Sequence, residues 1–333
     1  MRSPVPALAA LAVLLGGCGT DDAPAGGDRP AGDVDVVAGV QLNPDGAALS
    51  PDGTRLAAPC EERLCVWDTT TGRLVRRLDG GEVAAFTPDG VRIVTADGPD
   101  VVVRDATTGA EVERLEGHRA GDDTDDASPA VRDLAVSTDG LVASAGSDGT
   151  VRLWSDGAAA GVIEPEGDLA TDLAFSPDGR QLAVASTDSP AEVWDVAPVH
   201  RAWVLDTEPA QQGSLAWRPD GQQLASASAA PGDGAAVLLW DTTTHRQVDE
   251  TTGSATDLAW SPDGSTLAMA VRSPDGLALW RPADGGPRSL STAAGLQAVR
   301  WSPDGRTVHT VAVDGVRSWD VAAGTASAPY QLP

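Results

Sequence analysis

A turn of the Pro-Asp-Gly type recurs seven times along the chain, beginning at Ser50, Thr87, Ser137, Ser176, Arg218, Ser261 and Ser302. Each turn is followed 17–22 residues later by a tryptophan or its stand-in: Trp67, Arg104, Trp154, Trp194, Trp240, Trp280 and Trp319. Successive turns lie 37, 50, 39, 42, 43 and 41 residues apart. A period of this length marks one supersecondary unit repeated, and such a unit cannot bury its apolar face alone. The 333 residues therefore predict one body of packed units, although length alone would suggest two domains.

Residues 170–195 show the composition of a unit. Leu173 and Phe175 alternate within a first strand, Asp172–Phe175, and Ser176-Pro177-Asp178-Gly179 turns the chain. Proline presets φ, Asp tolerates the next position, and Gly supplies the positive φ that closes a hairpin. Gln181–Ala185 alternates as a second strand, Glu192–Trp194 ends a third, and a short outer strand is expected near Ala202–Leu205. This grammar predicts an all-β fold, a seven-bladed β-propeller of four-stranded antiparallel blades from Val34 to residue 333. Val34–Val40 is the expected closing strand of the last blade. Ala326–Leu332 is the other candidate, restricted to an edge by Pro329. A further turn, Asn43-Pro44-Asp45-Gly46, permits an alternative register in blade 1.

Blade 3 carries the most specific pattern, Ser144-Ala145-Gly146-Ser147-Asp148-Gly149-Thr150-Val151-Arg152-Leu153-Trp154, preceded by Gly117-His118. These residues resemble a WD40 repeat, and the chain resembles a seven-bladed WD40-type propeller. Its Pro-Asp-Gly-rich turns are also similar to those of TolB-like exported propellers. The WD40 resemblance implies a structural hydrogen-bonded network of His118, Ser144, Asp148 and Trp154, because a buried indole N–H without a partner is costly.

The N-terminus reads as an address. Met1-Arg2-Ser3-Pro4 precedes an apolar run from Val5 to Leu15, then Leu15-Gly16-Gly17-Cys18. A short basic start, a short apolar run and small residues before a cleavage point describe a secretion signal. The run is too short to span a bilayer, which takes about 20 residues. Its end resembles the lipobox of bacterial lipoproteins, which implies a signal peptide over residues 1–17 and lipidation of Cys18. Residues 18–33 are Gly-, Pro- and Asp-rich and read as a flexible tether. The expected location is outside the cell, lipid-anchored to the extracytoplasmic face of the bacterial cell membrane. In that oxidising setting Cys60 and Cys65, across a short hairpin, can form a disulfide.

The formal charge is −26 and every basic residue is arginine or histidine. That acidity opposes binding to nucleic acid or anionic lipid, both of which need a basic face. The membrane is therefore reached through the lipid anchor only. No nucleophile elbow, zinc-protease motif, phosphate loop or dinucleotide fingerprint occurs. His118 belongs to the network; His200 and His245 are expected in loops on one face, and His309 within a blade 7 strand. No catalytic residue is expected.

Two features remain as binding candidates. Asp133, Asp172 and Asp257 each lie four residues before a turn, where blades 1, 2, 5 and 7 have Gly46, Val83, Ser214 and Ala298. That position places them near the channel mouth, where carboxylates can hold a hard cation such as Ca²⁺ or a partner's basic group. The second is the insertion Arg119–Ala130, rich in Asp, which reads as an acidic flap. Trp203 stands outside the repeated Trp positions. The chain thus reads as a monomeric, non-catalytic scaffold or sensor that needs no cofactor and docks a protein or peptide at the channel mouth. The competing reading is a small-ligand or metal-binding propeller, or an enzyme, using that mouth.

Overall fold

Each of the seven turns closes in the same way in the computed structural model. The glycine N–H donates to the carbonyl of the turn's first residue at 2.8–3.0 Å, and Gly53, Gly90, Gly140, Gly179, Gly221, Gly264 and Gly305 all have φ between 67° and 89°. In six turns the Asp carboxylate also accepts from the leading hydroxyl, as Asp263 does from Ser261 at 2.6 Å. The structure describes residues 46–60, 63–119, 131–207, 212–228, 236–272, 275–291, 295–312 and 315–330. All fall in one compact unit.

The turns join the two inner strands of seven four-stranded antiparallel sheets, each built from strands consecutive in sequence. The innermost strands are Ala48–Leu49, Ala84–Phe86, Val131–Val136, Ala170–Phe175, Gln212–Trp217, Ala255–Trp260 and Leu296–Trp301. The architecture is the expected all-β, seven-bladed propeller. Its core lies between blades: Val237 and Leu239 of blade 5 pack with Leu258 and Met269 of blade 6. Small residues such as Ala183, Ala225 and Ala268 are fully buried on second strands, which lets neighbouring sheets approach while a few tryptophans fill the wider spaces. Among the described residues no helix is long and apolar enough to cross a membrane.

Among the described residues the outer strand of blade 7 comes from the C-terminal end of the chain, and the expected closing strand Val34–Val40 lies outside those residues. The four strands of blade 7 are Leu296–Trp301, Thr307–Ala312, Gly315–Asp320 and Thr325–Ala326. Beyond the last, Ser327 N–H donates to Ser318 O and Tyr330 N–H to Val316 O, both at 2.7 Å, so the edge continues irregularly. Pro329, which has no N–H, explains why the pairing is not a regular ladder. Tyr330 then packs with Trp67, Leu56 and Val311, joining the last blade to the first. Val34–Val40, Cys18 and residues 1–33 lie outside the described residues, as do Asn43–Asp45 and residues 120–130 of the acidic insertion.

The outer strand of blade 4 is Val199–Val204, beginning three residues before the expected Ala202. His200 is consequently on a strand, with Nε2 3.0 Å from Asp195. His245, in contrast, lies at the turn between the third and outer strands of blade 5 and stacks on Trp203, centroids 4.7 Å apart and planes at 4°. Trp203 is a packed residue rather than an exposed contact, at 7 % exposure.

Candidate functional site: blade networks and the channel lining

The third strand sets the first layer of polar chemistry, because in six of the seven blades its Trp must place an indole N–H inside the protein and in blade 2 Arg104 stands there. In blade 3 Trp154 Nε1 donates to Ser144 Oγ at 2.9 Å, His118 Nε2 lies 2.7 Å from the same oxygen, and His118 Nδ1 lies 3.0 Å from Asp148 Oδ1. An ionised carboxylate only accepts, so Nδ1 carries the proton and neutral Nε2 accepts from the Ser144 hydroxyl. Burial lowers the His118 pKa against the pull of Asp148, which favours this neutral form. Burial also opposes the Asp148 charge, but bonds from Thr150, the Arg119 N–H and His118 outweigh it and lower its pKa. Gly146 is required here, since a Cβ would collide with the His118 ring.

The other blades solve the same problem with different atoms. The residue equivalent to Ser144 is Thr95, Ser226 and Thr310 in blades 2, 5 and 7. These accept from Arg104, Trp240 and Trp319 at 3.3, 2.9 and 2.8 Å. In blade 4 Val184 stands at this place and Trp194 donates to Glu192 at 2.9 Å. In blade 6 it is Met269, and Trp280 donates to Gly285 O at 2.9 Å. Blade 1 has Ala58 there, and the buried Trp67 Nε1 has no partner. That blade instead holds the Cys60–Cys65 disulfide, Cα atoms 5.7 Å apart, beside Trp67 in the same core cluster.

The channel-facing candidates form a second layer, between blades. Asp133 Oδ2 accepts from Leu173 N–H, Asp172 Oδ2 from Leu215 N–H and Asp257 Oδ2 from Val299 N–H, each at 2.7 Å. Ser214 Oγ continues the series, accepting from Leu258 N–H at 3.2 Å. Each side chain thus spans from the innermost strand of one blade to that of the next, from blade 3 through blade 7. Asp133 and Asp257 are buried, at 7 and 9 % exposure, and each is engaged by the backbone N–H of the next blade. A buried carboxylate is retained when strong donors surround it. Among the described residues no group of three or more His, Cys, Asp or Glu side chains is placed to hold a metal ion.

Arg300 was not singled out from the sequence, although a signal was present. Two residues before each turn, six blades have alanine (Ala48, Ala85, Ala135, Ala174, Ala216 and Ala259) and blade 7 has Arg300. Its guanidinium forms a short ion pair with Asp257 and donates to Val299 O at 2.7 Å and Ala47 O at 3.1 Å. Burial acts against the Arg300 charge, but Asp257, with Asp172 and Asp133 behind it, outweighs burial and raises its pKa. Arg300 therefore neutralises part of the acidic ring and bridges blade 7 to blade 1, where Ala298 supplies no carboxylate. It also lines, with Ala48, Ala85 and Val136, an open cavity of about 490 Å³ at the turn end of the channel.

Buried His309 completes the inventory. Its Nδ1 lies 2.9 Å from Ser318 Oγ and 3.2 Å from the Tyr330 hydroxyl, and burial pushes its pKa down to about 4. The polar side chains are committed to holding blades together.

The WD domain, G-beta repeat family model matches residues 109–155 and 164–195, which cover the outer strand of blade 2 and the three inner strands of blades 3 and 4. No curated protein matches the sequence significantly. Among solved structures, a chain in "Crystal Structure of Mitotic Checkpoint Complex" is similar, with TM-score 0.72 and 20 % identity over 90 % of this chain and 96 % of that one. At that identity the likeness concerns the fold.

Proposed function

We propose that this chain is an exported propeller, lipid-anchored through Cys18, that acts as a non-catalytic protein-interaction scaffold or sensor. WD40 propellers in general present rigid blades and variable loops to protein partners, and the family match over blades 3 and 4 supports that class here. The observation that carries the reading is the commitment of the channel side chains. Asp133, Asp172, Ser214, Asp257 and Arg300 all bond across blade boundaries, which stiffens a platform and engages these side chains in structural bonds. The sequence of the first 33 residues supports the tether. Two or more acyl chains would make the anchoring stable, where one is marginal.

Co-isolation from detergent-solubilised membranes tests the scaffold. A polypeptide recovered in constant ratio is expected, and a metabolite or metal ion recovered without any polypeptide would overturn it. Acyl labelling of wild type and Cys18→Ser tests the anchor; label in wild type and none in the variant is the expected result. The competing reading, a Ca²⁺ site at Asp133, Asp172 and Asp257, predicts that chelation lowers the melting temperature and that the triple Asn variant loses this response. The present account predicts no response in either protein.

A further inference from the structure

Three tryptophans occupy one repeat position, the last residue of the innermost strand in blades 5, 6 and 7: Trp217, Trp260 and Trp301. Each indole donates to the alanine carbonyl of the preceding blade, Ala174, Ala216 and Ala259, at 3.0, 3.2 and 2.9 Å. The rings are therefore held alike, but their outer faces differ. Trp260 is buried, and Arg218, the first residue of the blade 5 turn, lays its guanidinium over the ring with Cζ 5.7 Å from the centroid. Arg218 Nε also donates to Gly264 O, in the blade 6 turn, at 2.9 Å.

One blade earlier the guanidinium is missing from the same frame. The residue equivalent to Arg218 is Ser176, and its hydroxyl is turned to Asp178 at 2.7 Å. Among the described residues no guanidinium stacks on Trp217, which is half-buried. Its ring instead lines a cleft of about 520 Å³ on the turn face between blades 4 and 5, together with Asp178, Asp195, Asp220, Arg180 and Gly221. Gly221 is the counterpart of Gly264, although its carbonyl already accepts from Thr242 Oγ1 at 2.7 Å. Arg180 is largely exposed and 4.0 Å from Asp178, Arg218 Nε is 3.7 Å from Asp220 and His200 Nε2 is 3.0 Å from Asp195; three carboxylates against one lining arginine leave the lining acidic. An aromatic face bordered by carboxylates is an environment that attracts a guanidinium.

We infer that the Trp217 cleft is a docking site for an arginine side chain of a partner polypeptide, in the geometry that Arg218 adopts over Trp260 inside the molecule. The inference deepens the scaffold reading and rests on it. The chain's acidity favours a basic partner segment, and the cleft gives that attraction a defined contact.

The test uses the full-length protein in neutral detergent micelles and observes tryptophan indole signals by NMR. The probe is a blocked Gly-Arg-Gly peptide, with its citrulline counterpart as the neutral isostere. A saturable shift of the Trp217 signal is expected, at least tenfold weaker with citrulline. Ser176→Arg installs the internal plug and should abolish the shift while the protein still melts cooperatively. Arg218→Ser opens the second frame and should add a saturable shift at Trp260. An unmoved Trp217 signal, equal binding of the citrulline peptide, or wild-type binding by Ser176→Arg would each overturn the site. A Trp217 shift driven by protein concentration alone would assign the cleft to a second copy and overturn the partner. If a partner still co-isolates with Ser176→Arg, the cleft fails while the scaffold stands; if none co-isolates with any form, the scaffold itself fails.

Discussion

The Tyr330 hydroxyl donates to the backbone oxygen of Thr69 at 3.1 Å, and this contact ties blade 7 to blade 1. Tyr330 is the one tyrosine of the chain, and its hydroxyl also meets Ser318 and His309 on its own blade. Within the described residues a side chain near the C-terminus thus joins the last blade to the first. Tyr330→Phe keeps the packing and removes the bonds. It should lower stability by about 1–3 kcal/mol, the cost of leaving buried partners unpaired, and the melting temperature would report it.

Asp257→Asn separates charge from hydrogen bonding at the second seam. Asparagine can still accept from Val299 N–H, but Arg300 loses its paired carboxylate. Removing one partner of a largely buried ion pair costs about 3–5 kcal/mol, and the partial exposure of Arg300 reduces this to about 2–4. Asp257→Asn with Arg300→Met should recover part of the loss, because no uncompensated charge remains. Denaturant unfolding of both variants checks the pair.

Acid should weaken the fold through its buried histidines. The His309 pKa is held at about 4, against 6.5 for the free side chain. Between these values the unfolded chain binds the proton and the native one does not. The contribution is therefore fully present above pH 6.5, is lost as pH falls toward 4, and amounts to about 3 kcal/mol at most. His118 acts in the same direction. The Asp263 carboxyl, lowered to about 2 by bonds from Ser261 and Ser265, titrates below this window. His309→Gln should flatten the fall in melting temperature between pH 7 and pH 4.5, and an unchanged slope would contradict the assignment.

Blade 1 pairs an unpartnered Trp67 with a disulfide, and each half is testable. Reducing Cys60–Cys65 opens a loop of five-residue separation and should cost about 2 kcal/mol by loop entropy. Ala58→Ser restores the hydroxyl found at Ser144 and Ser226, and should raise stability by about 1 kcal/mol through a bond to Trp67 Nε1. Thermal melts with and without reductant measure both.

The blade count, the turns and the blade 3 network were legible because they depend on residues close in sequence or at one repeat spacing. Pro-Asp-Gly turns and Trp154 with Ser144 announce themselves in that way. The role of Asp133, Asp172 and Asp257 was not, because their donors, Leu173, Leu215 and Val299, lie on the next blade, about one repeat away. Position identified these residues, but only three-dimensional packing showed each to be an inter-blade bond. Arg300 was visible as the break in a column of alanines, a comparison across blades that reading along the chain does not make. The closing contact of Tyr330 with Thr69 joins residues 261 apart in sequence and leaves no local signature.

Chemical cross-linking of the protein in membranes of the cells that produce it, read by mass spectrometry, tests the proposed anchored scaffold most directly. The account predicts one recurrent polypeptide partner, linked to propeller residues, in wild type and reduced in Cys18→Ser, which would leave the membrane. Recovery of the protein without any partner above background, or from a soluble fraction in its native form, would contradict it.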